Sequence, residues 1–264
     1  GAILTVNSGP SASYVAVGLV SSTQAVAVWL ATGGAYACTL NISGTTITAG
    51  TILHVNTTAG AYASVCGLSS TQALFISYGP SAYLYAQTLN ISGTTITAGT
   101  ILQVNAHISA YTRCVGLSST QAVAVYYGNS GYLTAVTLNI SGTSVSAGSE
   151  VTLNTVTTER KAIVALSSTK AIVVYSGDSG YLQGVVLSIS GTSISAGAVK
   201  NLYTAQYAYG IGIANLTATD AVVTWVNNLG AAFAMVVYVT GATTLNAGST
   251  VTVNSSSGNV STSV

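Results

Sequence analysis

The string TLNISGTTITAGTIL fills residues 39–53 and returns unchanged at residues 88–102; a third copy, TLNISGTSVSAG, begins at Thr137. Repetition at a fixed interval constrains the fold more than any other feature here. Each copy must form the same local unit, and such units bury their apolar surface by stacking on one another. The glycine closing each Ser-Gly or Thr-Gly turn falls at Gly44, Gly93, Gly142, Gly191 and Gly241, at intervals of 49, 49, 49 and 50 residues. Leu19, Leu68, Leu117, Leu166 and Leu216 form a second landmark series with nearly the same spacing. These landmarks mark five units, at residues 8–56, 57–105, 106–154, 155–203 and 204–254.

Every unit reads as four strands. In the third they are YTRCVGLS, QAVAVYY, YLTAVTLNI and SVSAGSEVTLN. Val, Ile, Thr and Tyr dominate and no stripe of period 3.6 appears, which disfavours helix. Leu-Asn-Ile-Ser alternates apolar with polar, Ser-Gly turns the chain, and Thr-Thr-Ile-Thr alternates in return, so the repeated phrase reads as a β-hairpin. The second strand differs: Ala-Val-Ala-Val at 25–28, Ala-Leu-Phe-Ile at 73–76 and Ala-Ile-Val-Val at 171–174 are apolar throughout. A strand apolar on both sides is covered on both sides, as in a blade pressed between two others, with the small alanines suited to a crowded centre. The expected fold is all-β, a single β-propeller domain over residues 1–264 with about five four-stranded blades. Residues 1–7, GAILTVN, match GTILHVN and GTILQVN and read as a fourth strand without its first three; residues 255–264 read as the start of another first strand. Either the ends meet to close the ring or the chain is part of a longer parent. The expectation is five blades within a longer parent, with six kept open.

Composition sets limits on function. Charged residues make up 3% of the chain and the net charge is +1, against about 25% charged in a typical soluble domain. Without a basic field, nucleic-acid binding by counterion release is disfavoured. The apolar runs are far shorter than the ~18 residues a membrane-spanning helix needs, and residues 1–7 lack the basic and apolar regions of a signal peptide. Cys38, Cys66 and Cys114 form no C-x-x-C; counted from the following leucine, Cys66 and Cys114 are expected on opposite strand faces, as small buried hydrophobes. Seven N-x-S/T sequons occur, and those at Asn41, Asn90 and Asn139 are explained by the repeated hairpin.

Chemistry-bearing groups are sparse. GDSGY at residues 177–181 matches the string around a serine-protease nucleophile, yet the same slot holds GNSGY at 128–132 and GPSAY at 79–83, so Ser179 reads as a turn residue. No Asp or Glu precedes Glu150 to complete a triad with His54 or His107 in the protease chain order. His54 stands where the next unit has Gln103 and reads as a polar edge residue; no metal-ligand spacing and no phosphate loop are present, so neither metal nor cofactor is expected. The best binding candidate is the loop between second and third strands, with Tyr83, Tyr132 and Tyr181 and, beside two of them, Asn129 and Asp178. Rings next to small polar groups suit sugars and protein interfaces alike, and they equally suit a plain strand start.

Units of the form LSSTQAVAVYYGNSGYLTAVTLNISGTSVSAG resemble repeat proteins of bacteriophage virions and some bacterial surface proteins. The resemblance covers nearly the whole chain and is strongest over residues 18–197; the fifth unit departs from it, with LTATDAVVTW and TGATTLNAG. It implies a β-propeller in a tail fibre, head fibre or decoration protein, and it brings no functional residue with it. On this reading the protein is no enzyme but a virion component at the particle surface or outside the cell. Its partners are other virion proteins or copies of itself, with a host-surface glycan as a further ligand and no membrane insertion. An almost chargeless surface suits a subunit held in an assembly, since it offers little repulsion against association. The alternative is a secreted or cell-surface lectin-like propeller that binds carbohydrate. An outer-membrane barrel, prompted by the mean hydropathy of +0.60, conflicts with second strands apolar on both faces.

Overall fold

The computed structural model describes residues 2–6, 12–157 and 160–255, apart from the side chains at 156, 157 and 178. It is an all-β chain of five antiparallel sheets, over residues 13–56, 61–103, 110–157, 161–203 and 208–254; they are numbered sheets 1 to 5 here. In each, four strands pair in sequence order, and a further short strand pairs with the third. Two compact units result: residues 1–129 with 137–148, and residues 130–136 with 149–264.

Sheet 2 shows why the sequence folds this way. Its strands are Ala61–Ser69, Gln72–Tyr78, Leu84–Ser92, Thr95–Ala98 and Leu102–Gln103. Gly93, at φ 59, supplies the left-handed residue of the Ser-Gly turn, after which Thr95–Ala98 returns along Leu89–Ser92. The expected single fourth strand is in fact two. Between its halves, Thr100 N donates to Thr143 O of the following sheet, 3.3 Å away, instead of to its own sheet. A Cβ on Gly99 would lie 2.2 Å from that Thr143 oxygen and 2.1 Å from Thr88 Oγ1. The edge breaks where the next sheet's hairpin turn docks.

This docking explains the repeated phrase. Gln24 Nε2 donates to Asn41 Oδ1 within sheet 1 (2.7 Å) and to Gly93 O of sheet 2 (2.8 Å). Gln72 Nε2 repeats the pair with Asn90 Oδ1 (2.8 Å) and Gly142 O (2.7 Å). Thr39 Oγ1 donates to Thr94 O, and Thr88 Oγ1 to Thr143 O, at 3.2 and 2.9 Å. In the second unit Lys170 Nζ reaches Gly241 O (3.1 Å) and Ser188 Oγ reaches Ala242 O (3.3 Å). The hairpin turns of sheets 2, 3 and 5 thus present carbonyls to donors on the sheet before them. The sequon asparagines Asn41 and Asn90 are members of this joint.

Beneath the joint lies apolar surface. Val26, Val28, Leu30 and Val55 of sheet 1 pack with Ala73, Phe75, Leu89 and Ile96 of sheet 2. Ile172, Val174 and Val186 of sheet 4 pack with Val223, Trp225, Met235 and Leu245 of sheet 5. The second strands of sheets 1 to 4 are buried along their lengths, whereas Asp220–Asn227 alternates buried with half-buried. Exposure follows the same logic. Ile96 is 3% exposed while Ile47, in the same slot of the same phrase, is 45% exposed; Val236 is 42% exposed where its counterpart Thr88 is fully buried.

Three further expectations change. Ser21 pairs with Gln24 as Ser69 pairs with Gln72, which makes Val20 the counterpart of Leu68. Leu19 is one residue out of phase and is 69% exposed. The unit is a residue shorter between its second and third strands, with Gln24 and Asn41 17 apart where Gln72 and Asn90 are 18 apart. Residues 2–6 form no strand, although Val6 packs against Ala27, Trp29 and Cys38. The closest approach of sheets 1, 2 and 3 is made by glycines of the first strands, not by alanines of the second: a Cβ on Gly67 would meet Leu19 O at 1.8 Å, and one on Gly116 would meet Gly67 O at 2.1 Å.

Candidate functional site

The backbone departs from ordinary strand geometry at the same place in three sheets. Tyr14, Tyr62 and Tyr111 hold φ of 50°, 53° and 53°, a region that costs an L-residue with a bulky side chain about 1–2 kcal/mol. Each sits in a bulge near the start of a first strand, where the register with the second strand shifts between Ser13 and Ala16, Ala61 and Ser64, or Ala110 and Arg113. A bulge inserts a residue and re-aims its side chain, a device common beside binding sites.

The re-aimed rings meet one another. Tyr14 and Tyr62 lie edge to face with centroids 5.2 Å apart, and Tyr62 and Tyr111 lie tilted at 4.3 Å. Tyr78 and Tyr127, at the ends of second strands, buttress the row at 5.8 Å from Tyr62 and 6.3 Å from Tyr111. Thr112 Oγ1 donates to Tyr62 O, fixing one bulge to the next. Tyr14 is 44% exposed; Tyr62 and Tyr111 are half-buried. In the second unit the corresponding positions carry Arg160 and Gly210, and the Arg160 guanidinium stands 4.4 Å over the Tyr209 ring. These are apolar faces with hydroxyl or guanidinium donors, the chemistry for an uncharged polyol or a planar polar group.

The loops singled out from sequence lie at the same end of each sheet, since Ala61 pairs with Tyr78 immediately before the turn at 79–83. Pro80–Ala82, Asn129–Gly131 and Asp178–Gly180 are tight 3-10 turns, and Ser81, Ser130 and Ser179 are all left-handed at φ 57°, 60° and 55°. Ser179 is a turn residue, as the repeat indicates. Tyr83 and Tyr181 are half-buried, and their carbonyls accept from Gly79 N (3.0 Å) and Gly177 N (2.9 Å). Asn129 and Tyr132 are exposed, and the Asp178 side chain lies outside the described atoms. Sequence reasoning passed over Tyr14, Tyr62 and Tyr111, although each follows Ser or Ala at intervals of 48 and 49 residues. Tyrosine is a poor marker of left-handed backbone, so the type of residue concealed its conformation.

Among the described residues no group of three His, Cys, Asp or Glu could hold a metal ion, and no helix is long and apolar enough to cross a membrane. His54 is exposed at the outer edge, its Nε2 donating to Gly33 O (3.0 Å) and its ring stacked on Tyr36 at 4.7 Å.

Against solved structures the chain superimposes on the Pseudomonas aeruginosa periplasmic gluconolactonase PpgL with a TM-score of 0.66 at 10% identity, covering 92% of this chain and 73% of that one. It is also similar to the Aleuria aurantia lectin, a six-bladed β-propeller with a fucose recognition mode (TM-score 0.54, 10% identity, 91% and 77% covered). The five sheets are propeller blades. A Lactobacillus plantarum protein matches with a TM-score of 0.62 at 14% identity, over 89% of this chain and 70% of that one. No family model and no curated protein matches the sequence. At these identities the likeness shows fold alone. It also corrects one expectation, that the protein is no enzyme: the fold is shared with a lactonase, so the lack of a recognisable motif does not exclude catalysis. Function resides in sites carried by a fold, and the same fold hosts unrelated ones.

Proposed function

We propose that the protein is a carbohydrate-binding propeller module acting outside the cytoplasm, and that it engages ligand at the strand end bearing Tyr14, Tyr62 and Tyr111. The observation that carries this reading is the left-handed backbone at three equivalent tyrosines, a recurrent cost whose visible result is a row of rings. Sugars present C–H faces to such rings and hydroxyls to their rims, and a site almost without charge suits a neutral glycan. The turn residues Tyr83, Asn129, Tyr132, Asp178 and Tyr181 follow the second strands at the same end of their own sheets, and Tyr83 and Asn129 belong to the compact unit that carries the ring row. Support from likeness comes from the Aleuria aurantia lectin, a propeller with a fucose recognition mode, and from the SapL1 lectin in complex with α-methyl fucoside.

A glycan array followed by titration calorimetry tests it. Saturable binding that falls at least tenfold in Tyr62→Ala, with an unchanged circular dichroism spectrum, is the expected result. Wild-type protein that binds no neutral glycan, or binding unaffected by Tyr62→Ala and Tyr111→Ala, overturns it. A phage-particle role rests separately on the resemblance of the LSSTQAVAVYYGNSGYLTAVTLNISGTSVSAG units to virion repeat proteins, and is compatible with glycan recognition at a host surface. Immunogold labelling of particles tests that role independently.

A further inference from the structure

The first strands of sheets 2 and 3, Ala61–Ser69 and Ala110–Ser118, touch backbone to backbone. Gly116 has no room for a Cβ beside Gly67 O. One residue back from Gly67 stands Cys66, and two back from Gly116 stands Cys114. Sequence phase puts them on opposite faces, but the phase of one strand says nothing about the stagger between two. The structure brings the two cysteines to one seam: Ser64 and Cys66, two apart in regular register, share a face of their strand, and Cys114 packs against that face at Ser64. Ser64 holds the pair in place, accepting from Cys114 N at 3.2 Å and lying 3.6 Å from Cys114 Sγ through its Oγ. Further along, Thr112 Oγ1 donates to Tyr62 O. The strands are fixed on both sides of the sulfur pair. Cys38 keeps other company, packing with Ala27 and Trp29.

The geometry points to Cys66 and Cys114 as a redox-modification site that closes into a disulfide between sheets 2 and 3. Cys114, half-exposed, is the sulfur that meets the oxidant; Cys66, buried, is the one that resolves. With a small-molecule disulfide such as oxidised glutathione, the Cys114 thiolate attacks one sulfur. The S–S bond breaks, and the first glutathione leaves as thiolate and takes up the proton that Cys114 released. Cys66 sulfur then attacks Cys114 sulfur, expelling the second glutathione, which departs with the Cys66 proton. Two protein thiols are oxidised to one disulfide and one glutathione disulfide is reduced to two thiols. The neighbouring Cys114 and, after it, burial hold the Cys66 thiol well above its ordinary range, which fits it to the second, intramolecular step. The staple lies three and four residues from the Tyr111–Tyr62 ring contact, on the strands that carry it. The site stands whether or not those rings bind sugar.

The test uses the full 264-residue chain, equilibrated in reduced or oxidised glutathione, then denatured, alkylated and mapped by mass spectrometry. Alkylatable thiols are expected to fall from the three present to the single Cys38, with one peptide pair joined through Cys66 and Cys114. Oxidised protein should melt about 5 °C or more above reduced protein. That difference should vanish in Cys66→Ser and Cys114→Ser and persist in Cys38→Ser. If either serine variant fails to fold, the wild-type peptide map alone decides. Three thiols still alkylatable after oxidation, glutathione retained on Cys114, or a bridge that includes Cys38 would overturn the assignment.

Discussion

Ile47 and Ile96 occupy the same position in two letter-for-letter copies of one phrase, so local propensity, turn chemistry and unfolded-state behaviour cancel between them. Only tertiary burial differs, 45% exposed against 3%. Ile→Ala deletes three carbons, worth about 2.4 kcal/mol of transfer at ~0.8 kcal/mol per buried carbon. At Ile96 a cavity cost of about 1–2 kcal/mol is added, because Leu89, Ile91 and Phe75 around it relax only in part. The total for Ile96→Ala is about 3–4 kcal/mol. At Ile47 roughly half the transfer term applies and no cavity forms, giving about 1 kcal/mol. Both residues belong to the same compact unit, so one transition reports both. Urea unfolding followed by Trp29 fluorescence serves, in a Trp225→Phe background that silences the other of the two tryptophans. A difference of about 2–3 kcal/mol between the variants is expected. Equal losses would refute the reasoning, since they would mean that burial against an adjacent blade is not what stabilises the phrase.

The glycines separate in the same manner. Gly99→Ala places a methyl 2.1 Å from Thr88 Oγ1 and 2.2 Å from Thr143 O and should cost about 2–4 kcal/mol by denaturant titration. Gly93→Ala meets nothing within 4 Å and should cost only the left-handed strain of about 1–2 kcal/mol. Gln72→Leu removes the donor to Asn90 and Gly142 O and should lose about 1–3 kcal/mol, most of it recovered in Gln72→Lys, because Lys170 fills the equivalent slot in sheet 4. In reductant, stability should be full below pH 9 and decline above it. The Cys66 thiol is held above its ordinary 9.0 by the neighbouring Cys114 and by burial, so the unfolded chain releases its proton first. Cys66→Ala should flatten that alkaline decline in thermal melts.

What the sequence made legible follows from what repeats. The hairpin, the four-strand unit and the doubly buried second strand recur in residue type, and the structure contains all three. The break in the fourth strand was hidden because its cause is not local: Thr100 turns its N–H to a carbonyl 43 residues on, at Thr143. The phase of Leu19 was hidden by a one-residue deletion in the loop that follows, which only the pairing of Ser21 with Gln24 exposes. Of the candidate site, the turns at 79–83, 128–132 and 177–181 were visible through Gly, Pro, Asn and Asp. The bulged tyrosines were not, because a left-handed tyrosine carries no sign of its backbone in its side chain. The meeting of Cys66 with Cys114 depends on the stagger of two strands from different units, which spacing along one strand cannot encode.

The joint restricts charge at one recurring slot. The hairpin turns of sheets 2, 3 and 5 offer carbonyl oxygens to the sheet before them, and the receiving slot must hold a donor. Gln24 and Gln72 fill it, and so does Lys170, a cation that can still donate. In sheet 5 the slot holds Asp220, an acceptor, whose carboxylate takes hydrogen bonds from Thr217 and Thr219 of its own turn. Beside it Val236 replaces the hydroxyl that Thr39 and Thr88 supply. An anion in this slot would face a carbonyl oxygen with no proton between them, which costs more than an unfilled bond. Charge is therefore restricted by sign and by position: a cation is admitted where a turn docks, and the anion appears in the last sheet, where both partners of the usual joint have been replaced. Asp220→Gln together with Val236→Thr restores both donors on that face at exposed or half-exposed sites, so the pair should leave folding intact. If the joint is what the slot encodes, the doubly substituted face gains affinity for an added hairpin with the sequence of residues 88–99, readable by fluorescence anisotropy of the labelled peptide. Equal, negligible binding to wild type and variant would show that donors in the slot do not by themselves recruit a turn.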